Sequence, residues 1–328
     1  MTIVYFVPIL LLTLVFGYMN SVNAIASIVA TLVSTRALSP RRSLILATIA
    51  MCAGPFLLGV AVAGTIGSDI VAAEAQTSNV LIAALLGAIV WIGLALWFKV
   101  PSSTTHAFVG SLIGVVLIGF GRNAVLMPGL TKTLIGIFLS PILGIVVGYF
   151  LVKLCYRLSS SASPHINVWF KRGQVLMCTL MALAYGANDG QKIMGILAFG
   201  LVASGLMTQF AIPPWVVILS AATMGFGAFI GSWRLIHTIG GDFYRIRPVH
   251  GFGAQFASGT ILLTAVALGG PVSTSQVITS AIVGAGTAER VQQVRWGAVQ
   301  HVLMAWLLTL PLSALAGAAI YTLLERLM

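Results

Sequence analysis

Long apolar stretches with few polar interruptions run through almost the whole chain. The first covers residues 3–18, and another, residues 24–33, follows the polar stretch Met-Asn-Ser-Val-Asn at residues 19–23. A straight helix over both would be much longer than the roughly 30 Å apolar core of a bilayer, at about 1.5 Å rise per residue. The pattern therefore predicts membrane-spanning helices, the first of them broken at residues 19–23.

A second polar interruption lies inside an apolar segment of the other half of the chain. Residues 185–192 read Tyr-Gly-Ala-Asn-Asp-Gly-Gln-Lys, between the largely apolar residues 175–184 and 193–207. Ionisable groups at membrane depth are costly, and they usually face a cavity, a partner or an ion pathway. The glycines allow this helix to break as well, so that backbone carbonyls and helix ends turn toward an ion. We therefore expect the functional centre here.

Two short loops rich in hydroxyl groups occur in corresponding positions of the two halves. Residues 101–106 read Pro-Ser-Ser-Thr-Thr-His, and residues 271–276 read Pro-Val-Ser-Thr-Ser-Gln. Hydroxyls and the free N–H groups of a helix N-terminus are donors suited to a tetrahedral oxyanion, although each loop alone could be an ordinary helix cap. The symmetric pair favours anion binding by Ser103, Thr104, Thr105, Ser273, Thr274 and Ser275.

Three sequence matches, in the same order and at nearly one spacing, predict an internal repeat. Asn20 matches Asp189, 169 residues later in the chain. Residues 65–69 match 238–242 at a separation of 173, and residues 101–106 match 271–276 at a separation of 170. The only long polar connection lies between the matching parts. The predicted division is a first repeat at residues 1–155, a connecting loop at 156–172 and a second repeat at 173–328.

The basic residues predict how the two repeats are oriented. Cytoplasmic loops are enriched in Lys and Arg, and placing the loop 156–172 in the cytoplasm puts thirteen of the seventeen on or near that face. The loop 67–78 is then external, whereas its partner at 238–242 is internal. The halves therefore have opposite topology. An inverted repeat with broken helices is typical of secondary transporters with a site near the membrane midplane.

The composition supports an integral membrane protein and argues against other classes. Hydrophobic residues make up 59% of the chain, charged residues 7%, and the mean hydropathy is +1.06, whereas soluble domains carry about a quarter charged residues. We expect an all-α, multi-pass protein of the plasma membrane with about ten to twelve segments. The net charge of +11 does not indicate nucleic-acid binding, because no basic soluble domain carries it.

An enzyme or a channel fits the pattern less well than a transporter does. An intramembrane enzyme would need a nucleophile with a base, a carboxylate pair or a metal cluster. Of the six acidic residues, only Asp189 lies deep in an apolar segment, and so no catalytic residue is predicted. A channel would need a continuous polar path, whereas broken helices in inverted halves favour alternating access.

The two polar stretches resemble the motifs of the inorganic phosphate transporters. That family has a first motif similar to Gly-Phe-His-Asp-Ala-Ala-Asn-Ala-Ile-Ala-Thr and a second similar to Gly-Ala-Asn-Asp-Ala-Gln-Lys. Here residues 17–27 read Gly-Tyr-Met-Asn-Ser-Val-Asn-Ala-Ile-Ala-Ser, and residues 186–192 read Gly-Ala-Asn-Asp-Gly-Gln-Lys. The hydroxyl loops are similar to the Ser-Thr-Thr-His elements of the family, and the resemblance covers nearly the whole chain.

The resemblance implies a phosphate symporter driven by a cation, Na⁺ or H⁺, without another cofactor. It also implies a homodimer in the bilayer, with the two hydroxyl loops in re-entrant hairpins that hold the anion. Sulfate or another tetrahedral oxyanion is the alternative substrate. The implied substrate-binding residues are the six hydroxyl residues above with Asn23, Asp189, Gln191 and Lys192. The implied cation-binding residues are Asn20, Asn23, Asn188 and Asp189.

One departure from the family pattern leaves the coupling open. Asn20 replaces the aspartate of the first motif, and so Asp189 is the only carboxylate of the paired motifs. Its charge can be balanced by one Na⁺, by one proton or by Lys192, which could instead attract the anion. Sodium is favoured over a proton because Asn20, Asn23 and Asn188 would supply oxygen ligands.

Overall fold

The fold is all-α, as predicted. The computed structural model describes residues 2–98, 100, 102–231 and 246–327, and these ranges contain eleven α-helices and three short 3₁₀ turns. The count of helices agrees with the predicted ten to twelve segments. The helices are α1 Thr2–Ser34, α2 Pro40–Leu57, α3 Ala61–Gly67, α4 Ser78–Trp97, α5 Thr104–Gly119, α6 Met127–Leu158, α7 Ile166–Ala203, α8 Pro214–Gly231, α9 Pro248–Ala267, α10 Thr274–Glu289 and α11 Trp296–Leu327.

The chain is a multi-pass membrane protein. Within the described ranges, α1, α4, α6 and α11 are each long and apolar enough to cross a bilayer. The pair α2 and α3 would be a fifth span with a bend of 78°. Large apolar side chains such as Ile142, Phe150 and Leu315 are exposed on the outer surface, which fits contact with lipid.

The predicted breaks in α1 and α7 are wrong. α1 continues without interruption through residues 19–23, and α7 continues through 185–192 over its 38 residues. Asn20, Asp189 and Lys192 of these stretches find hydrogen-bond partners on neighbouring elements, so the backbone does not have to unwind to supply them. The break lies instead between α2 and α3, where Gly59 has a φ of 74°, a left-handed conformation that favours glycine.

Two helical hairpins lie at the centre of the fold. Hairpin 1 consists of α4 and α5 with their connecting loop, and hairpin 2 consists of α9 and α10 with theirs. Each hydroxyl loop comprises the end of one connection and the first turn of the helix that follows it. The long helix of each half packs on the hairpin of the other half, α6 against α10 and α11 against α5. The connecting loops meet in the interior, where Ser103 Oγ lies 2.8 Å from Ser273 Oγ.

Four pairs of helices have equal lengths in the same order in the two halves, whereas α1 has 33 residues and α7 has 38. α2 and α8 have 18 residues each, α4 and α9 have 20, α5 and α10 have 16, and α6 and α11 have 32. The match predicted between 65–69 and 238–242 lies partly outside the described residues. Residue 99 and residue 101, the first of the hydroxyl loop 101–106, lie outside them as well.

Glycines allow the long helices to approach the hairpins closely. A Cβ at Gly114 of α5 would overlap the backbone of Ala314 in α11, and one at Gly284 of α10 would overlap Ile145 in α6. Small residues at such contacts let helix backbones pack together in a membrane. These contacts hold the hairpins against the long helices of the opposite half.

The change Gly114→Leu is expected to destabilise the protein by about 1–3 kcal/mol, because the added side chain has no space between α5 and α11. Thermal unfolding in detergent measures this effect. Gly93→Leu is the matched control, since Gly93 lies exposed on α4 with nothing within 4 Å of an added Cβ, and it should change stability by less than about 0.5 kcal/mol. Equal stability of the two variants would contradict this packing.

Candidate substrate site where the hairpins meet

The carboxylate of Asp189 lies at the centre of the site and is 1% exposed. Its Oδ2 accepts hydrogen bonds from Asn20 Nδ2 at 2.9 Å and from Thr274 Oγ1 at 3.0 Å. Its Oδ1 accepts one from Lys192 Nζ at 2.6 Å. The two motif positions, one on α1 and one on α7, are therefore in direct contact, as the repeat leads one to expect.

The ammonium group of Lys192 links α7 to both hairpins. Besides Asp189, it donates to Thr105 Oγ1 at 2.8 Å in hairpin 1 and to the backbone oxygen of Val272 at 2.6 Å in hairpin 2. An ammonium has three protons, so all of its donors are used. Of the two roles considered for Lys192, the geometry shows the pairing with Asp189.

The two hydroxyl loops contact α1 and α7, the two helices that contain the motifs, in the same way. Thr104 donates to the amide oxygen of Asn20, just as Thr274 donates to Asp189. Both threonines are the first residues of their helices, α5 and α10, so the N-termini of these helices point at the site. Hydroxyls and helix N-termini from both halves thus converge on one place.

His106 and Gln276 extend this network away from Asp189. His106 Nδ1 lies 2.8 Å from Ser103 Oγ, and its Nε2 lies 3.2 Å from Gln276 Nε2. Ser103 is in turn hydrogen-bonded to Ser273, which lies 3.5 Å from the hydroxyl of the half-buried Ser275. His106 is 1% exposed and uses both ring nitrogens on protein groups.

The amide side chains predicted for the site have different surroundings. Asn23 is half-buried one turn after Asn20 and has no hydrogen bond in the described part of the chain. Asn188 is fully buried; its Nδ2 donates to the backbone oxygen of Gly270 at 3.4 Å, while its Oδ1 has no partner among the described residues. Such an orphaned buried acceptor is rare and calls for an explanation.

Gln191 lies at the break between α2 and α3 rather than beside Asp189. Its Oε1 accepts from the backbone N–H of Val62 at 2.8 Å, and its Nε2 donates to the backbone oxygen of Leu58 at 3.2 Å. Helix ends leave such backbone groups without partners, and here one side chain satisfies two of them. Gln191 therefore stabilises the bend.

Two groups of the site were not predicted from the sequence. The fully buried Tyr185 lies four residues before Asp189 on α7, beside Asp189, Asn20 and Thr274. Tyr185 is the first residue of the polar stretch 185–192, and its place in that stretch is the sequence feature that could have identified it. The other group is the backbone oxygen of Val272. Every residue has a backbone oxygen, so the sequence does not indicate which one will act as an acceptor.

The family of the chain follows from a comparison with known sequences. The model of the family described as "Phosphate transporter family" matches residues 20–317, which include every residue of the site. The chain belongs to the phosphate transporter family. This confirms the resemblance found in the motifs, and because the family consists of transporters, the chain is not an enzyme.

Individual relatives match over nearly the full chain. A protein of Bacillus subtilis named "Probable low-affinity inorganic phosphate transporter" is 38% identical and is covered over 97% of both chains. A protein of the same name from Mycobacterium leprae is 33% identical over 94% of this chain and 75% of its own. A solved structure named "The sodium-dependent phosphate transporter" has the same fold, with a TM-score of 0.87 over 99% of this chain and all of its own, at 22% identity.

The change Asp189→Asn should lower stability by about 3–5 kcal/mol, because it keeps the shape but leaves the Lys192 ammonium buried without its carboxylate. Thermal unfolding in detergent tests this. Asp69→Asn is the control, since Asp69 is exposed and its loss should cost less than about 0.5 kcal/mol. A stability loss of the same size in both variants would contradict the structural role of the buried pair.

Proposed function

We propose that the protein imports inorganic phosphate together with a cation across the plasma membrane by alternating access. The observation that carries this proposal is the meeting of two hydroxyl-lined helix N-termini with Asn20, Asp189 and Lys192 in one buried network. Membership of the phosphate transporter family supports phosphate as the substrate. Sulfate remains the alternative oxyanion.

The anion would bind at the first residues of α5 and α10. Thr104 and Thr274 now donate their hydroxyls to Asn20 and Asp189, and phosphate oxygens can replace those acceptors. The free N–H groups and the dipoles of the two helix N-termini favour negative charge there. The two loops supply further hydroxyls from Ser103, Thr105, Ser273 and Ser275. Lys192 contacts both hairpins, and its charge is paired with that of Asp189.

The coupling cation would bind through the amide oxygen of Asn188. This buried oxygen has no partner among the described residues, and the backbone oxygen of Gly270 lies 3.4 Å from the amide nitrogen of the same side chain. Amide and backbone oxygens are ligands of the kind that hold Na⁺ in transporters with this type of repeat. The sodium dependence in the name of the structural neighbour supports Na⁺, and a proton is the alternative.

Alternating access rests on an inverted repeat, which the contacts between equivalent residues support. Asn20 contacts Asp189 at a separation of 169, Ser103 contacts Ser273 at 170, and His106 contacts Gln276 at 170. If the halves are related by a twofold axis, residues that touch their own equivalents would lie beside that axis. The equal helix lengths agree with such an axis. A homodimer is also proposed, on the family resemblance alone.

Uptake of radiolabelled phosphate into proteoliposomes tests the proposed function. A Na⁺ gradient and an H⁺ gradient are applied separately, with sulfate and arsenate as competitors. We expect accumulation driven by at least one gradient, with arsenate competing more strongly than sulfate. No accumulation under either gradient would contradict symport, and stronger competition by sulfate would support the alternative substrate.

The changes Thr104→Val and Thr274→Val should each weaken phosphate binding by about 1–3 kcal/mol, because each leaves a charged oxygen without a hydrogen bond. Equilibrium binding of radiolabelled phosphate to the purified protein measures this. Thr260→Val is the control, since this exposed hydroxyl donates to Phe256 within α9. The two-loop site is wrong if either site variant binds phosphate as the parent does.

Cysteines at Arg122 and Gln292 should be labelled from opposite sides of the membrane. These exposed residues lie in equivalent 3₁₀ turns before α6 and α11, and the charge asymmetry places the first outside and the second inside. A membrane-impermeant thiol reagent is used after replacement of Cys52, Cys155 and Cys178. Ser160→Cys in the connecting loop marks the cytoplasmic side, and labelling of both turns from one side would exclude the inverted topology.

A further inference from the structure

The ammonium of Lys192 is surrounded by oxygen atoms of three chemical kinds. The carboxylate of Asp189 lies at 2.6 Å, the hydroxyl of Thr105 at 2.8 Å and the backbone carbonyl of Val272 at 2.6 Å. Carboxylate, hydroxyl and backbone oxygens are also the ligands of hard cations such as Na⁺. The same three oxygens would therefore suit a free cation if the ammonium were removed.

A free cation and the ammonium exclude each other at Asp189. The second oxygen of this carboxylate already accepts from Asn20 and Thr274, and the first is held by Lys192. A metal ion beside Asp189 would lie within a few ångströms of a buried positive charge, where repulsion is strong because water does not screen it. In the presence of Lys192, the carboxylate offers no site to a second cation.

The two halves of the chain place charge and countercharge together. Lys192 follows Asp189 by three residues, and its equivalent in the first half, Asn23, follows Asn20 by three. The first half thus has two neutral amides where the second has a carboxylate and an ammonium. Each pair has zero net charge, so neither half of the buried centre requires a bound ion for neutrality.

We propose that Lys192 is a tethered counter-cation that occupies the place of a transported cation at Asp189. The inference rests on the proposed function, in which the free coupling cation binds at Asn188. The oxygen atoms around Lys192 would form a second cation site, but the ammonium fills it, so only one free cation binds. Removal of the ammonium should create a new sodium site between α7 and the two hairpins.

The change Lys192→Gln, studied by thermal unfolding in detergent, tests the inference. Unfolding is measured in NaCl and in N-methyl-D-glucamine chloride of equal ionic strength. Without sodium the variant should be less stable than the parent, because Asp189 is left buried and unpaired. Sodium should restore much of the loss, since a ligand that binds the folded state alone stabilises it. The parent should show a smaller shift.

Two further variants control this result. Lys153→Gln removes an exposed ammonium that lies over the ring of Tyr149, and it should respond to sodium as the parent does. The double variant Asp189→Asn/Lys192→Gln lacks the carboxylate of the new site, and its sodium shift should fall back to that of the parent. A Lys192→Gln variant whose sodium shift equals the parent's would overturn the inference.

Phosphate binding as a function of sodium concentration separates the inference from the proposed function. The Hill coefficient for sodium should rise from about one in the parent to about two in Lys192→Gln, because the number of sites is its upper limit. If the parent binds no phosphate, the proposed function fails. If both proteins bind phosphate with the same sodium dependence, only the inference fails.

If Lys192→Gln does not fold, a second variant is used. Lys192→Asn copies the residue that the first half carries at the equivalent position, and it is measured in the same way. Because the inference requires sodium to replace the ammonium, the failure of both variants to fold in saturating sodium would contradict it.

Discussion

The buried ion pair of Asp189 and Lys192 is the interaction on which the arrangement of the site depends. A carboxylate at this depth is costly unless its oxygens are paired and hydrogen-bonded. Its donors come from three elements, α1, α7 and hairpin 2, and Lys192 reaches on to Thr105 of hairpin 1. To satisfy one charge pair, the fold has to bring both hairpin connections and both motif helices to the same place.

The site is symmetric in its geometry but asymmetric in its charge. Thr104 with Asn20 repeats the contact of Thr274 with Asp189, and Ser103 meets its own equivalent Ser273. The carboxylate and the ammonium occur in the second half alone. The symmetric parts, which are hydroxyls and helix N-termini, would bind the anion in the proposed alternating-access cycle. The asymmetric parts carry the charge that distinguishes one half from the other, and they are where cation coupling would be set.

The helical architecture and the pairing of Asn20 with Asp189 could be predicted, because apolar periodicity and repeated motifs are local properties of the sequence. Whether the helices are broken or continuous at those motifs could not be predicted. Polar residues inside an apolar segment are compatible with a broken helix or with an intact helix whose polar side chains bond to neighbouring helices. Here the helices are intact, and Asn20 of α1, for example, accepts a hydrogen bond from Thr104 of α5. The motif predicts Gln191 as a substrate ligand, whereas in the structure its amide hydrogen-bonds the backbone of Leu58 and Val62 at the bend.

In the proposed function, one oxyanion binds where the two hairpin connections meet. An experimental structure with bound arsenate tests it most directly, because arsenic can be located by its anomalous scattering. We expect one strong peak between the N-termini of α5 and α10, within hydrogen-bond distance of the hydroxyls of Thr104 and Thr274. A peak that contacts only one hairpin, or one that lies away from both connecting loops, would contradict it.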